Sequence, residues 1–263
     1  MKMCAVVLLG LLSVTPLMAQ DYWKNACSTS KEYITTLNFL RDHKEFGLEE
    51  KGIQSIADNV SKGCTDSALR FIKATDMLVK ASLPTVTALE EGQRLAVKSN
   101  AETENFVSIF KRIYLEKFFD LPASDALALA KKITVELERD HVRVLSDFNE
   151  LSDFCLNRKG LDLSLKTCSD MIGKIIPKGE DQAPSIARAF VDLIEFMTVD
   201  SKGPQIPLKQ AIDESIKILD HGSRAADNYI LAFKFAISEK GLSMKNKDAM
   251  AFSATMASRS VKN

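Results

Sequence analysis

Phe46-Gly47-Leu48, followed by Ile53, Ile56, Ala57 and Val60, sets the pattern from which the fold is read. Phe119-Asp120-Leu121, followed by Ala126, Leu129, Ala130 and Ile133, repeats it 73 residues later. Apolar residues three and four apart share one face of an α-helix, so each stretch reads as a helix opened by Leu. Near the midpoint, Leu83-Pro84 opens another, with Ala88, Leu89, Leu95 and Ala96. Further openings at Leu161, Ile206 and Leu242 give starts at 48, 83, 121, 161, 206 and 242, spaced by 35 to 45 residues. Each unit reads as a shorter helix, a tight turn and a longer second helix. One such pair cannot bury its own apolar face, and pairs at this period stack on one another. The expected fold is all-α, with helix pairs stacked as a short α-solenoid; the alternative is an irregular multi-helix bundle.

The longer helices read most clearly over 65–81, 102–119, 138–156, 184–199 and 222–239. Strand-like alternation and hairpin signals such as Asn-Gly between alternating runs are missing. With 46% hydrophobic and 27% charged residues, the chain has the composition of a globular protein. Linkers read at Pro177–Gln182 and Asp200–Pro204, and the apolar weight falls from Phe252 onward, so the end is expected to fray. The period is similar to that of HEAT-like helical repeats. The signature residues of tetratricopeptide and ankyrin repeats are absent, and no family is carried over.

Residues 1–19 read as a secretory signal: Met1-Lys2-Met3 is a positive start, Cys4 through Leu12 an apolar run, and Ala19 the expected cleavage point. The apolar run falls short of the ~20 residues a spanning helix needs. A Gram-negative periplasm or secretion is the expected location, with no stable membrane insertion after cleavage. The remaining divisions are a capping segment at 20–45, a helical repeat domain at 46–257 and a frayed tail at 258–263. In the capping segment, Tyr33, Ile34, Leu37 and Leu40 read as an apolar stripe covering the first repeat.

Beyond the signal, Cys27, Cys64, Cys155 and Cys168 form an even set in an exported chain, which favours two disulfides. Their placement as two separated pairs points to Cys27–Cys64 and Cys155–Cys168. Neither Cys-x-x-Cys nor a short Cys/His cluster is present, so a metal or redox motif is not indicated.

The balance of 35 basic and 35 acidic residues lacks the surplus that binding to nucleic acid requires. The three histidines each follow an aspartate, as Asp42-His43, Asp140-His141 and Asp220-His221. Neighbours on a helix point apart, so these read as helix-end preferences rather than catalytic dyads. Glu138-Arg139-Asp140-His141 has Glu-x-x-His spacing, but di-metal bundles need a second copy and further glutamates. His-Glu-x-x-His, Gly-x-Ser-x-Gly and glycine-rich nucleotide loops are also missing, so no cofactor is expected.

Lys111, Arg112 and Lys117 interleave with the apolar stripe between Phe106 and Phe119, and read as one wall of a partner groove. The expected function is therefore an exported, non-enzymatic helical repeat protein that binds a protein or peptide between helix pairs. The alternatives are a periplasmic enzyme or metal-dependent protein with a carboxylate/His site, and a helical carrier of an apolar ligand.

Overall fold

The structure is a computed structural model and describes residues 29–116 and 119–259. Every regular element among them is helical: twelve α-helices, two 3-10 turns and one π turn. The expected signal, Trp23, Cys27 and Lys117 lie outside the described residues. The chain divides into two compact units, one ending at Ala68 and the other beginning at Leu69.

The first unit holds α1 (Thr29–Asp42), a 3-10 turn (Lys44–Phe46) and α2 (Glu50–Ser61). Gly47, at φ +64°, closes the 3-10 turn with a backbone hydrogen bond to Lys44. It adopts this left-handed backbone without a Cβ penalty. Ile53, Ala57 and Val60 are buried along α2, as their spacing predicts. On α1 the buried face is instead Glu32, Thr36, Leu37 and Leu40, while Ile34 is 56% exposed. The stripe is corrected at that position. Residues 32, 36 and 40 stack one turn apart, and residue 34 lies about 200° round from 32. The carboxylate of Glu32 accepts hydrogen bonds from the backbone N–H of Asp66 (3.3 Å) and Ala68 (2.8 Å). A buried acid thereby satisfies the open N–H groups where α3 (Ser67–Lys80) begins.

The second unit continues with α4 (Thr85–Ala96), α5 (Asn100–Phe110), α6 (Ala123–Thr134) and α7 (His141–Leu156). It is completed by α8 (Leu165–Ile175), α9 (Ile186–Thr198), α10 (Leu208–Leu219), α11 (Arg224–Ile237) and α12 (Asn246–Arg259). The sequence openings at 83, 121, 161, 206 and 242 fall two to four residues before α4, α6, α8, α10 and α12. From α5 on, each helix except α6 packs against the next, and α5, α7, α9 and α11 form one row while α6, α8, α10 and α12 form another. Such an order, with neighbours only, is the stacking of a helix-pair repeat.

The helices start in two ways. Pro84, Pro122 and Pro207 precede α4, α6 and α10, and fix φ at a helix-compatible value. Ser99, Asp140 and Ser185 cap α5, α7 and α9 through side-chain oxygens, Ser99 in a full capping box with Glu102. One continuous apolar core runs from Ala74 to Ala257. Where Gly92 of α4 lies beside Phe71 and Thr75 of α3, a Cβ would collide with both.

Two boundaries differ from the sequence reading. The helix expected over 138–156 starts at His141, because Asp140 caps it and ends the preceding loop. The expected frayed end is helical to Arg259. Ala249, Ser253 and Ala257 are its buried positions, and these small side chains let α12 lie close against α11 with little apolar weight.

Candidate functional site

The turns that follow α7, α9 and α11 share one construction. Phe154, Phe196 and Phe235 stand near the C-termini of α7, α9 and α11, and Gly160, Gly203 and Gly241 follow in the turns. A Cβ on any of these glycines would collide with the carbonyl oxygen of its phenylalanine, so only glycine fits. Two residues on, Asp162, Gln205 and Ser243 have positive φ, and Leu163, Ile206 and Met244 then donate their N–H to the carbonyls of Cys155, Met197 and Ala236. Six residues before each phenylalanine stands a buried aromatic: Phe148, Phe190 and Tyr229. The repeat is thus written as an aromatic pair followed by Lys-Gly, at Lys159-Gly160, Lys202-Gly203 and Lys240-Gly241. This signal was available in the sequence. Framing the repeats on Leu161, Ile206 and Leu242 hides it, because Ile206 corresponds to Leu163 and Met244.

The first two phenylalanines of the series face the next repeat. Phe154 lies edge-on to Phe190 at 6.4 Å, and Phe196 lies edge-on to Phe233 at 5.5 Å and to Tyr229 at 6.5 Å. Between these steps a cleft of about 660 Å³ opens on the α7–α9–α11 row. Phe154, Leu161, Ile194, Phe196, Leu208 and Ile230 supply its apolar lining, with Val199 among them at 76% exposed. The intervening turn holds one more residue than its counterparts, since Phe196 and Gly203 are seven apart where the other pairs are six apart. The extra length carries Val199 outward beside the cleft.

Charges of both signs surround this lining. Lys234 stands 5.4 Å over the Phe196 ring and 3.8 Å from Asp200, and Asp192 pairs with Arg188 at 3.0 Å. Lys159 and Glu195 complete the polar part of the wall. The arrangement suits an apolar side chain whose neighbours hydrogen-bond or carry charge.

Of the basic residues expected to line one groove, Lys111 and Arg112 separate. The helix expected over 102–119 widens after Phe110 into a π turn at Lys111–Leu115, where Glu116 N–H bonds back to Lys111. The extra residue per turn rotates the positions beyond it relative to the α-helical register. Lys111 lines a smaller cleft of about 240 Å³ with Lys73, Asp76, Met77 and Lys80 of α3. Arg112 turns to α7, donating to Asn149 at 2.7 Å and pairing with Glu116 at 3.0 Å. Cys155 and Cys168 are bonded, tying the end of α7 to α8 with their Cα atoms 5.8 Å apart.

The three histidines stand in different places in the fold. His43 Nδ1 lies 2.8 Å from the Phe39 carbonyl, and its ring stacks on Phe46. His141 is the exposed first residue of α7, behind the Asp140 cap, and His221 follows α10 just before Gly222 at φ +84°. Glu138 lies in the loop before α7, so it shares no helical face with His141. Among the described residues, no group of three or more His, Cys, Asp or Glu side chains is placed to hold a metal ion.

A buried polar network braces the same stack. Arg139 pairs with Asp147 at 2.7 Å and donates to the Ile176 carbonyl at 3.1 Å, and Ser185 donates to the other Asp147 oxygen at 2.7 Å. Asn105 donates to the carbonyls of Leu137 and Arg139, both at 2.8 Å. Glu91 of α4 bonds Arg94 at 2.6 Å and reaches Lys131 of α6. Burial opposes ionisation of Glu91, but the Lys131 and Arg94 hydrogen bonds outweigh it and hold the carboxyl below its usual range. Burial, aided by the Glu214 charge, raises the Tyr229 hydroxyl well above its usual value.

No protein-family model matches the chain, and no curated protein or solved structure matches it either.

Proposed function

We propose that the protein is an exported, non-enzymatic helical repeat protein that binds a peptide segment of a partner in the α7–α9–α11 cleft. The cleft carries this reading: its volume lies within the range of binding sites, and it combines an apolar lining with charges of both signs. Three consecutive repeats contribute to it, which is how stacked helix pairs make extended binding surfaces. With Val199 exposed at its wall, the cleft is reached from solvent and admits a side chain that remains attached to a longer chain. The layout of residues 1–19 and the Cys155–Cys168 disulfide support export. Among the described residues, no helix is long and apolar enough to cross a membrane.

Panning a random peptide display library on the disulfide-bonded protein tests the proposal. Selected peptides, measured by titration calorimetry, are expected to share an apolar residue flanked by charge. Val199→Arg and Leu208→Arg are expected to weaken them about tenfold or more, as loss of an anchor contact does. Failure to enrich any peptide, or peptides indifferent to both substitutions, would overturn the assignment.

A further inference from the structure

The two edges of the array from α7 to α12 differ in charge. Residues 157–166, 199–209 and 238–248 form the turns after α7, α9 and α11 with the first residues of α8, α10 and α12. They hold eight basic and four acidic residues. Residues 135–141, 176–185 and 220–224, at the other ends of α7, α9 and α11, hold three basic and six acidic residues. Each edge is continuous. On the basic one, the cleft joins Lys159 and Leu161 to Val199 and Asp200, and the Asn246 side chain donates to the Pro204 carbonyl at 3.5 Å. On the acidic one, Lys178 pairs with Asp220, and Arg224 donates to the Gln182 carbonyl at 3.2 Å.

The edges also differ in how their basic side chains are used. All three on the acidic edge are engaged, Arg139 with Asp147, Lys178 with Asp220 and Arg224 with Gln182. All eight on the basic edge are exposed, and none of these side chains makes an ion pair or hydrogen bond with another described residue. Of the four acids there, Asp200 is already met by Lys234 at 3.8 Å. Val199, Leu208 and Leu242 stand in the same turns at 76%, 37% and 44% exposed.

We infer that this edge binds the surface of a bilayer that carries anionic lipid headgroups. Neighbouring helices of a row lie about 8–10 Å apart, so the three turns reach over roughly 20 Å. Charge spread over that distance suits many headgroups rather than one anion. Each basic residue near such a surface is attracted to it, and exposed apolar side chains among them enter the boundary between headgroups and acyl chains. A dissolved polyanion would satisfy the lysines and leave Val199, Leu208 and Leu242 in water. Among the described residues no helix is long and apolar enough to cross a membrane, so the contact is peripheral. The acidic edge is repelled by the same headgroups and turns outward.

Co-sedimentation of the full chain, disulfides intact, with two kinds of vesicle tests this. One kind is phosphatidylcholine alone, and the other contains about 30% phosphatidylglycerol as the anionic lipid. The apolar run at residues 4–12 is common to every variant, so differences between variants report on the edge. Binding is expected to be tighter to the anionic vesicles and to fall as salt rises from about 0.05 M to about 0.5 M. Lys202→Glu, Lys240→Glu and Lys247→Glu together should weaken it about tenfold or more, with the helical circular dichroism signal and Tm unchanged. Leu242→Ser should weaken it at every salt concentration, and Lys174→Glu, on α8 away from this edge, should leave it as it is. None of these residues lines the peptide cleft, so the outcome is independent of the proposed function. Equal binding to both vesicles, or a triple variant that binds like the parent, would overturn the inference. So would a Lys174→Glu loss as large as that of the triple variant, which would mark net charge alone. Polyglutamate bound as tightly as the anionic vesicles, with Leu242→Ser without effect, would assign the edge to a soluble acidic partner instead.

Discussion

The guanidinium of Arg139 and the carboxylate of Asp147 meet at 2.7 Å, with their side chains only 8% and 3% exposed. Arg139 comes from the loop before α7, Asp147 from α7 itself, and Gly179 leaves the space the guanidinium occupies. Breaking such a pair from one side strands a charge away from water, at a cost of about 3–5 kcal/mol. Arg139→Met is expected to cost that much in urea unfolding. Arg139→Met combined with Asp147→Leu should recover a large part of it, since an apolar pair leaves neither charge stranded. A double variant no more stable than Arg139→Met would show that the pair is not the dominant contact.

Alanine in place of glycine should change stability in opposite directions at different sites. At Gly160, Gly203 and Gly241 an added Cβ collides with a phenylalanine carbonyl, and each change is expected to cost about 1–3 kcal/mol. At Gly52, inside α2, nothing lies within 4 Å of the added atom. There alanine should stabilise by about 0.5–1 kcal/mol through helix propensity. Thermal melts of the four variants check the order, and a destabilising Gly52→Ala would refute the α2 assignment.

The helices and their period were legible because apolar spacing reports directly which face of a helix is buried. Ile53, Ala57, Val60, Ala126, Ala130 and Ile133 are all buried where the spacing put them. Elsewhere a local event overrode the pattern. The π turn after Phe110 sends Lys111 and Arg112 to different neighbours, and the Asp140 cap removes Glu138 from the helix. On α12, a stripe of alanine and serine packs closely without apolar bulk. The cleft was not legible, because its lining comes from α7, α9, α10, α11 and two turns. Its exposed Val199 depends on a single extra turn residue.

Stability below about pH 5 should depend on Glu91. Its carboxyl titrates below the usual range in the folded chain, so its contribution is complete above the unfolded-state pKa. That contribution is lost as pH falls through the lower, folded-state value. Glu91→Gln is expected to be less stable at pH 7 by about 1.5–3 kcal/mol, the scale of charged hydrogen bonds. It should also lose less than the parent on acidification. Urea midpoints at both ends of the range measure this, and parallel pH profiles for the two proteins would contradict it.

The Cys155–Cys168 disulfide closes a short loop, with a sequence separation of 13, that contains Lys159, Gly160 and Leu161 of the cleft. Both cysteines are fully buried, and the Leu163 N–H bonds the Cys155 carbonyl inside the same loop. Replacing both cysteines by alanine removes a constraint worth about 3 kcal/mol on the unfolded chain. In a stacked array each repeat contacts only its neighbours, so the loss should be local before it is global. Hydrogen exchange is expected to speed up over the end of α7, the turn and α8, with little change in α1 and α2. Peptides selected for the cleft should bind the variant less tightly, because Phe154 and Leu161 are no longer held together by the closed loop. Uniform loss of protection along the whole chain would instead show that the array unfolds as one cooperative unit, and unchanged peptide affinity would show that the loop does not shape the cleft.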